Sequence, residues 1–93
     1  MNWTLEFDEK VKKDLKKLDK QTANRIFEYL TKTVIGKYAD NPRAIGEALK
    51  GKKLGEYWKY RVGDCRVIAK IEDEKLVILV VKVGNRREVY KPK

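Results

Sequence analysis

The chain opens in a rhythm of two. Trp3, Leu5 and Phe7 alternate with Asn2, Thr4, Glu6 and Asp8, the pattern of a half-buried strand. The rhythm then lengthens. Val11, Leu15 and Leu18 share one face of a helix, with Asp8 placed to cap its free backbone N–H groups. Lys10, Lys13, Lys17 and Lys20 fall mostly on the other faces. Asp19 starts a second helix whose apolar stripe is Ala23, Ile26, Phe27, Leu30 and Val34. Gly36 is expected to end it in the left-handed geometry that glycine adopts cheaply. The short link Leu18-Asp19-Lys20-Gln21 predicts an antiparallel helix hairpin.

Residues 38–56 read as irregular, with Asp40-Asn41-Pro42 as a turn signal. Gly46, Gly51 and Gly55 punctuate a stretch holding Lys50, Lys52 and Lys53. Such a segment is either a basic loop that settles onto phosphates or a plain connector. Period two then returns. Tyr57–Val62 turns through Gly63-Asp64 into Cys65–Glu72, and Asp73-Glu74 turns that into Lys75–Val83. The last strand is apolar on both faces, which places it inside a sheet with helices covering one side. The expected architecture is a single α+β domain over residues 1–93, ordered β-α-α-β-β-β, with a two-helix hairpin packed on a mainly antiparallel sheet.

Charge changes the picture. The chain has 23 Lys and Arg against 14 Asp and Glu, a net +9. Residues 1–49 hold ten basic and eight acidic residues, and residues 50–93 hold thirteen and six. The excess therefore lies with the strands, which suits a polyanionic partner. There is no histidine, which removes imidazole acid–base pairs and most zinc or iron sites. The single Cys65 has no disulfide partner and lies in no ligand cluster, so neither metal nor cofactor is expected and a reducing, cytoplasmic setting is the simplest. The run Leu76–Val81 is too short to span a bilayer, and the first residues lack a secretion signal, so no membrane association is expected.

Alternation decides where the cations point. Tyr57, Lys59 and Arg61 face one way; Trp58, Tyr60 and Val62 face the other, where they can pack. Arg66, Ile68 and Lys70 oppose Val67, Ala69 and Ile71. Lys59, Arg61 and Arg66 can therefore converge on one open face. Arg86 follows Gly84 and can reach the same side, with Tyr90 returning over it. Aromatic rings beside such cations offer stacking surfaces for bases, which favours RNA. The alternative is that Arg61 and Arg66 pair with Asp64 or Glu72 across the hairpin.

These segments resemble the RelE/ParE superfamily of toxins from bacterial and archaeal toxin–antitoxin pairs, and its RelE branch in particular. The resemblance is carried by Leu5-Glu6-Phe7-Asp8, Leu49-Lys50-Gly51, Trp58-Lys59-Tyr60-Arg61-Val62-Gly63-Asp64-Cys65-Arg66-Val67-Ile68 and Val83-Gly84-Asn85-Arg86-Arg87-Glu88-Val89-Tyr90. It implies catalytic roles for Lys59, Arg66, Arg86 and Tyr90. It implies a ribosome-dependent endoribonuclease that cleaves messenger RNA in the ribosomal A site without metal and is silenced by an acidic, RelB-like antitoxin. Two departures stand out. Some members carry a basic residue where Tyr57 stands, for which Lys52 or Lys53 is the candidate replacement. Many carry histidine where Asn85 stands, so histidine-dependent members are not the pattern for this chain.

Metal-free RNA cleavage needs a base for the ribose 2′-OH, cations on the phosphorane-like transition state and a proton for the 5′-oxygen. Arg66 and Arg86 suit the second task, because guanidinium forks match phosphate oxygens. Lys59 and Tyr90 are the candidate bases; like charges around Lys59 would favour its neutral form. No residue is an obvious general acid. Lys10, Lys13, Lys17, Lys50, Lys52, Lys53, Arg61 and Arg87 are the expected contacts to ribosomal and messenger RNA. The chain alone is expected to be a monomer. The competing functions are a ParE-like toxin that binds DNA gyrase and a ribosome-independent RNase of the same fold.

Overall fold

A computed structural model describes residues 2–49 and 57–85. Lys50, Lys52, Lys53, Arg86, Arg87 and Tyr90 lie outside the described residues, as do Gly51 and Gly55. The elements are β1 (Thr4–Phe7), α1 (Glu9–Lys17), α2 (Lys20–Glu28), β2 (Glu47–Ala48), β3 (Tyr57–Val62), β4 (Cys65–Glu72) and β5 (Val77–Asn85). The sheet runs β1-β5-β4-β3-β2, with β1 parallel to β5 and every other pair antiparallel. The fold is the expected α+β arrangement of two helices on a mainly antiparallel sheet, with one strand more than the sequence pattern showed. That strand, β2, has only two residues, Glu47 and Ala48, both exposed, so no alternation could reveal it.

The helix boundaries follow their chemistry. The Asp8 carboxylate accepts from the Lys10 backbone N–H at 3.1 Å and opens α1. Val11 is fully buried, and Leu15 and Leu18 pack against the core. Beyond Glu28 the second helix widens into π-helical turns from Tyr29 to Lys37. At their end the Tyr38 N–H bonds to Thr33 O, five residues back, at 2.9 Å. The Thr31 hydroxyl donates to Phe27 O at 2.9 Å within this stretch, and such back-bonding competes with the regular helical ladder. Gly36 does not take the left-handed conformation expected of it; the described glycines with positive φ are Gly46 and Gly63.

The core lies between the helices and one face of the sheet. Tyr60, Val67, Ala69, Ile78 and Val80 are fully buried there with Ile26, Leu30 and Val34 from the second helix. Three aromatic donors tie the connecting segment to this core. Trp3 Nε1–H donates to Ala39 O at 2.7 Å, Tyr60 O–H to Pro42 O at 2.8 Å, and Trp58 Nε1–H to Ile45 O at 2.7 Å. Each buries a ring while satisfying its polar atom. Gly46 sits beneath Trp58 at φ +82°, where an added Cβ would come within 2.5 Å of Lys59 O. Only glycine fits that approach.

β5 departs from the expected strand at both ends. Its preceding turn runs through Leu76, which has φ 54°, and the strand continues past Gly84 to Asn85. Gly84 is therefore a buried ladder residue opposite Arg66 rather than a break. Between Ile68/Ala69 on β4 and Lys82/Val80 on β5 the register slips by one. Val81 is the extra residue of a β-bulge, and the bulge reverses the facing of everything after it.

Candidate functional site

The face of the sheet turned away from the core collects the cations. Residues directly opposite in a ladder share a face, so the pairing fixes three rows. Arg61, Arg66 and Gly84 form the first. Glu47, Lys59, Ile68 and Lys82 form the second. Tyr57, Lys70, Leu79 and Glu6 form the third. Lys59, Arg61 and Arg66 thus converge as expected. Trp58 and Tyr60 do not join them, since both rings serve the core; Tyr57 is the aromatic residue of the described open face.

Arg66 is the buried charge among the described residues, 6 % exposed. Its Nη1 donates to Cys65 O at 3.2 Å. Among the described residues no carboxylate lies within ion-pairing distance of Arg66 or Arg61, so the cross-hairpin pairing with Asp64 or Glu72 is not formed; Glu72 lies 3.8 Å from Lys75 instead. Two arginines stand directly opposite each other without a counter-charge among the described residues. Like charges so placed destabilise a sheet, and an anion bound between them would remove that cost.

Lys59 is partly buried, and its Nζ lies 3.7 Å from Glu47 Oε2. The two-residue β2 sets that carboxylate opposite Lys59, in what the sequence pattern left as an irregular segment. Lys82 is the other residue the pattern missed. Its facing depends on the bulge at Val81. It also lines a surface groove of about 460 Å3 with Lys10, Lys13 and Lys17 of α1, so the helix lysines and the open face join beside the part of β5 that runs past its pairing with β1. Burial pushes the Tyr60 phenol far above its usual range, with nearby Tyr29 adding to the effect, which removes Tyr60 as a base. Tyr29 is raised as well, chiefly by burial and then by Tyr38. Arg86 and Tyr90, the other two catalytic candidates, lie outside the described residues, as do Lys50, Lys52, Lys53 and Arg87. Among the described residues no helix is long and apolar enough to cross a membrane.

Comparison with known proteins agrees with this arrangement. Residues 5–90 match the family described as the ParE toxin of the type II toxin–antitoxin system parDE. The chain is 32% identical over 92 residues to the mRNA interferase toxin RelE of Escherichia coli, covering 97% of this chain and 92% of that one. The isolated Escherichia coli RelE toxin superposes with a TM-score of 0.70 at 27% identity, over 95% of this chain and 90% of that one. The toxin in the intact Escherichia coli RelBE toxin–antitoxin complex gives a TM-score of 0.68 at 26% identity, over 89% and 95%. The sheet order, the helix pair and the matched sequence together place this chain in the RelE/ParE superfamily of type II toxins, as a RelE-type member.

Proposed function

We propose that the chain is a ribosome-dependent endoribonuclease that cleaves messenger RNA in the ribosomal A site and thereby stops translation. The observation that carries this reading is the Arg61–Arg66 pair, which has no counter-charge among the described residues, beside Lys59 on an open sheet face. A fold tolerates such a pair when an anion is its working partner. The relative named an mRNA interferase supports the same activity.

The reaction is a transesterification. The ribose 2′-oxygen forms a bond to phosphorus, the bond from phosphorus to the 5′-oxygen breaks, and the products are a 2′,3′-cyclic phosphate and a 5′-hydroxyl. Arg66, held by its own strand and partly stripped of water, stabilises the charge that builds on the non-bridging oxygens. Arg86 is the proposed second cation. Lys59 or Tyr90 takes the 2′-OH proton, and the 5′-oxygen recovers one. The chain holds no evident strong acid, so its rate depends on a scaffold that fixes the in-line geometry, which is the role assigned to the ribosome. No metal takes part in this scheme. An acidic antitoxin silences the enzyme by covering the cationic face or displacing the segment that bears Tyr90. The RelBE complex supports such a partner.

The match to a family described by ParE favours one second reading, a toxin that binds DNA gyrase and cuts nothing. One set of reactions separates the two. Purified protein is added to cell-free translation and new 5′ ends are mapped on the message, with naked RNA and gyrase supercoiling run in parallel. Cuts in translated message alone are expected. Inhibited supercoiling with an intact message would establish the second reading, and equal cutting of naked RNA would remove the ribosome from the first.

A further inference from the structure

We propose a second phosphodiester-binding site in the cleft between α2 and the β3–β4 turn, where Arg25 and Arg61 grip RNA backbone beyond the reacting phosphate. The inference rests on the RNA-cleaving reading and extends it from the catalytic face, through Arg61, to the α2 side of the β3–β4 turn.

The cleft has a volume of about 780 Å3, and Arg25, Glu28, Tyr29, Lys32, Arg61 and Gly63 are among the residues that line it. Arg25 is in the last turn of α2. Its Nη1 rests against the β3–β4 turn, 3.4 Å from where a Cβ on Gly63 would stand. Arg61 comes from the end of β3, on the other side of that turn. Both arginines are exposed. Two carboxylates are close enough in sequence to neutralise them, and neither does. Glu28, one helical turn after Arg25, bonds Lys32 at 3.0 Å. Asp64, beside Gly63, makes no ion pair with either arginine. The cleft, which Glu28 also lines, is therefore bordered by two arginines that form no ion pair with a described carboxylate. Guanidinium forks of this kind match phosphate oxygens in pairs.

Arg61 makes this a track rather than an isolated patch. In the ladder it stands opposite Arg66, and it also borders the cleft that Arg25 lines. A strand whose phosphate is held at Arg66 can pass its next phosphates over Arg61 to Arg25. The same chemistry would be met by a phosphate of the message or by one of ribosomal RNA.

The test is the salt dependence of binding to purified ribosomes, either empty or programmed with a synthetic message, for wild type, Arg25→Gln, Arg61→Gln and Arg25→Lys. Each Gln variant is expected to flatten the slope of log K against log salt by roughly 0.7–0.9, the contribution of one phosphate, while Arg25→Lys keeps the slope. Flattening on both kinds of ribosome assigns the phosphate to ribosomal RNA; flattening only with message assigns it to the message. Either supports the site. A wild-type slope that Arg25→Gln leaves unchanged, with thermal midpoints equal, overturns the second site alone. A fall in antitoxin affinity with an unchanged ribosome slope also overturns it and makes the cleft a protein-docking surface. A wild-type chain that neither binds ribosomes nor cuts message overturns the function and the site together.

Discussion

Replacing Arg61 by Gln should stabilise the fold while weakening its action on RNA. Arg61 and Arg66 are direct cross-strand neighbours, Arg66 is 6 % exposed, and no carboxylate among the described residues neutralises either. Cross-strand pairs change stability by about 0.2–1 kcal/mol, with like charges on the unfavourable side. Arg61 is exposed, so solvent screens part of the repulsion and the middle of that range, about 0.5 kcal/mol, is the expected gain. For a domain of this size that corresponds to a rise of about 2–4 °C in Tm. Gln retains part of the aliphatic stem, so lost packing offsets little of the gain. Urea denaturation at about 0.1 M and about 1 M salt is the assay, because the screening length falls from about 10 Å to about 3 Å between them. The stabilisation should be present at low salt and largely gone at high salt, and message cleavage should be slower. A destabilised variant, or a gain that persists unchanged at high salt, would refute the reasoning that the pair is held in repulsion for function.

The other expectations concern single groups. Tyr60→Phe removes the donor to Pro42 O and leaves that carbonyl buried, at a cost of about 1–3 kcal/mol in urea denaturation; a loss within error of zero would show that the strap does not hold the segment. Asp73 is held below its ordinary carboxyl range, chiefly by its hydrogen bonds from Arg43 at 2.8 and 2.9 Å. A depressed folded-state value means that the pair stabilises at pH above the unfolded value of 3.8 and that this contribution is lost as pH falls through the folded value. Arg43→Ala should therefore flatten stability against pH in that acid window, by under about 1 kcal/mol because the pair is largely exposed; an unchanged profile would contradict the linkage. Lys59→Arg keeps a charge but no practical base, so it should be nearly as inactive in cleavage as Lys59→Ala if Lys59 takes the 2′-OH proton. Near-normal activity would give Lys59 a purely electrostatic role.

What the sequence made legible was whatever kept a strict period. The β3–β4 hairpin alternates cleanly on both strands, so its turn at Gly63-Asp64, its bounds and the facing of Lys59, Arg61 and Arg66 could be read directly. Lys82 could not. The bulge at Val81 shifts the phase inside an apolar run, and the one available hint was that unbroken alternation would have put a lysine into the core. Glu47 was hidden because a two-residue strand has no period; its position is set by Gly46 and by the Trp58 bond to Ile45, which are tertiary contacts. The roles of Trp3, Trp58 and Tyr60 were half visible. Their burial followed from alternation, but the carbonyls they bind at Ala39, Pro42 and Ile45 are distant in sequence or separated by the connecting segment. The wide turns after Glu28 were invisible for a different reason, since the apolar stripe through Leu30 and Val34 reads equally well as ordinary helix. Arg25 gave no signal either, being one polar residue on an exposed helix face until the fold brings Arg61 beside its cleft.

We propose that Arg66 acts on the reacting phosphate. The most direct test of this claim is the single-turnover rate of message cleavage on programmed ribosomes for Arg66→Gln and Arg66→Lys, with circular dichroism melting to confirm folding and ribosome affinity measured separately. Arg66→Gln should slow cleavage by about 10²-fold or more, as loss of a preorganised transition-state donor does, with Arg66→Lys recovering part of the rate and affinity falling by no more than one phosphate contact accounts for. A folded Arg66→Gln protein that cuts at the wild-type rate once bound would contradict the claim and reduce the cationic face to a docking surface.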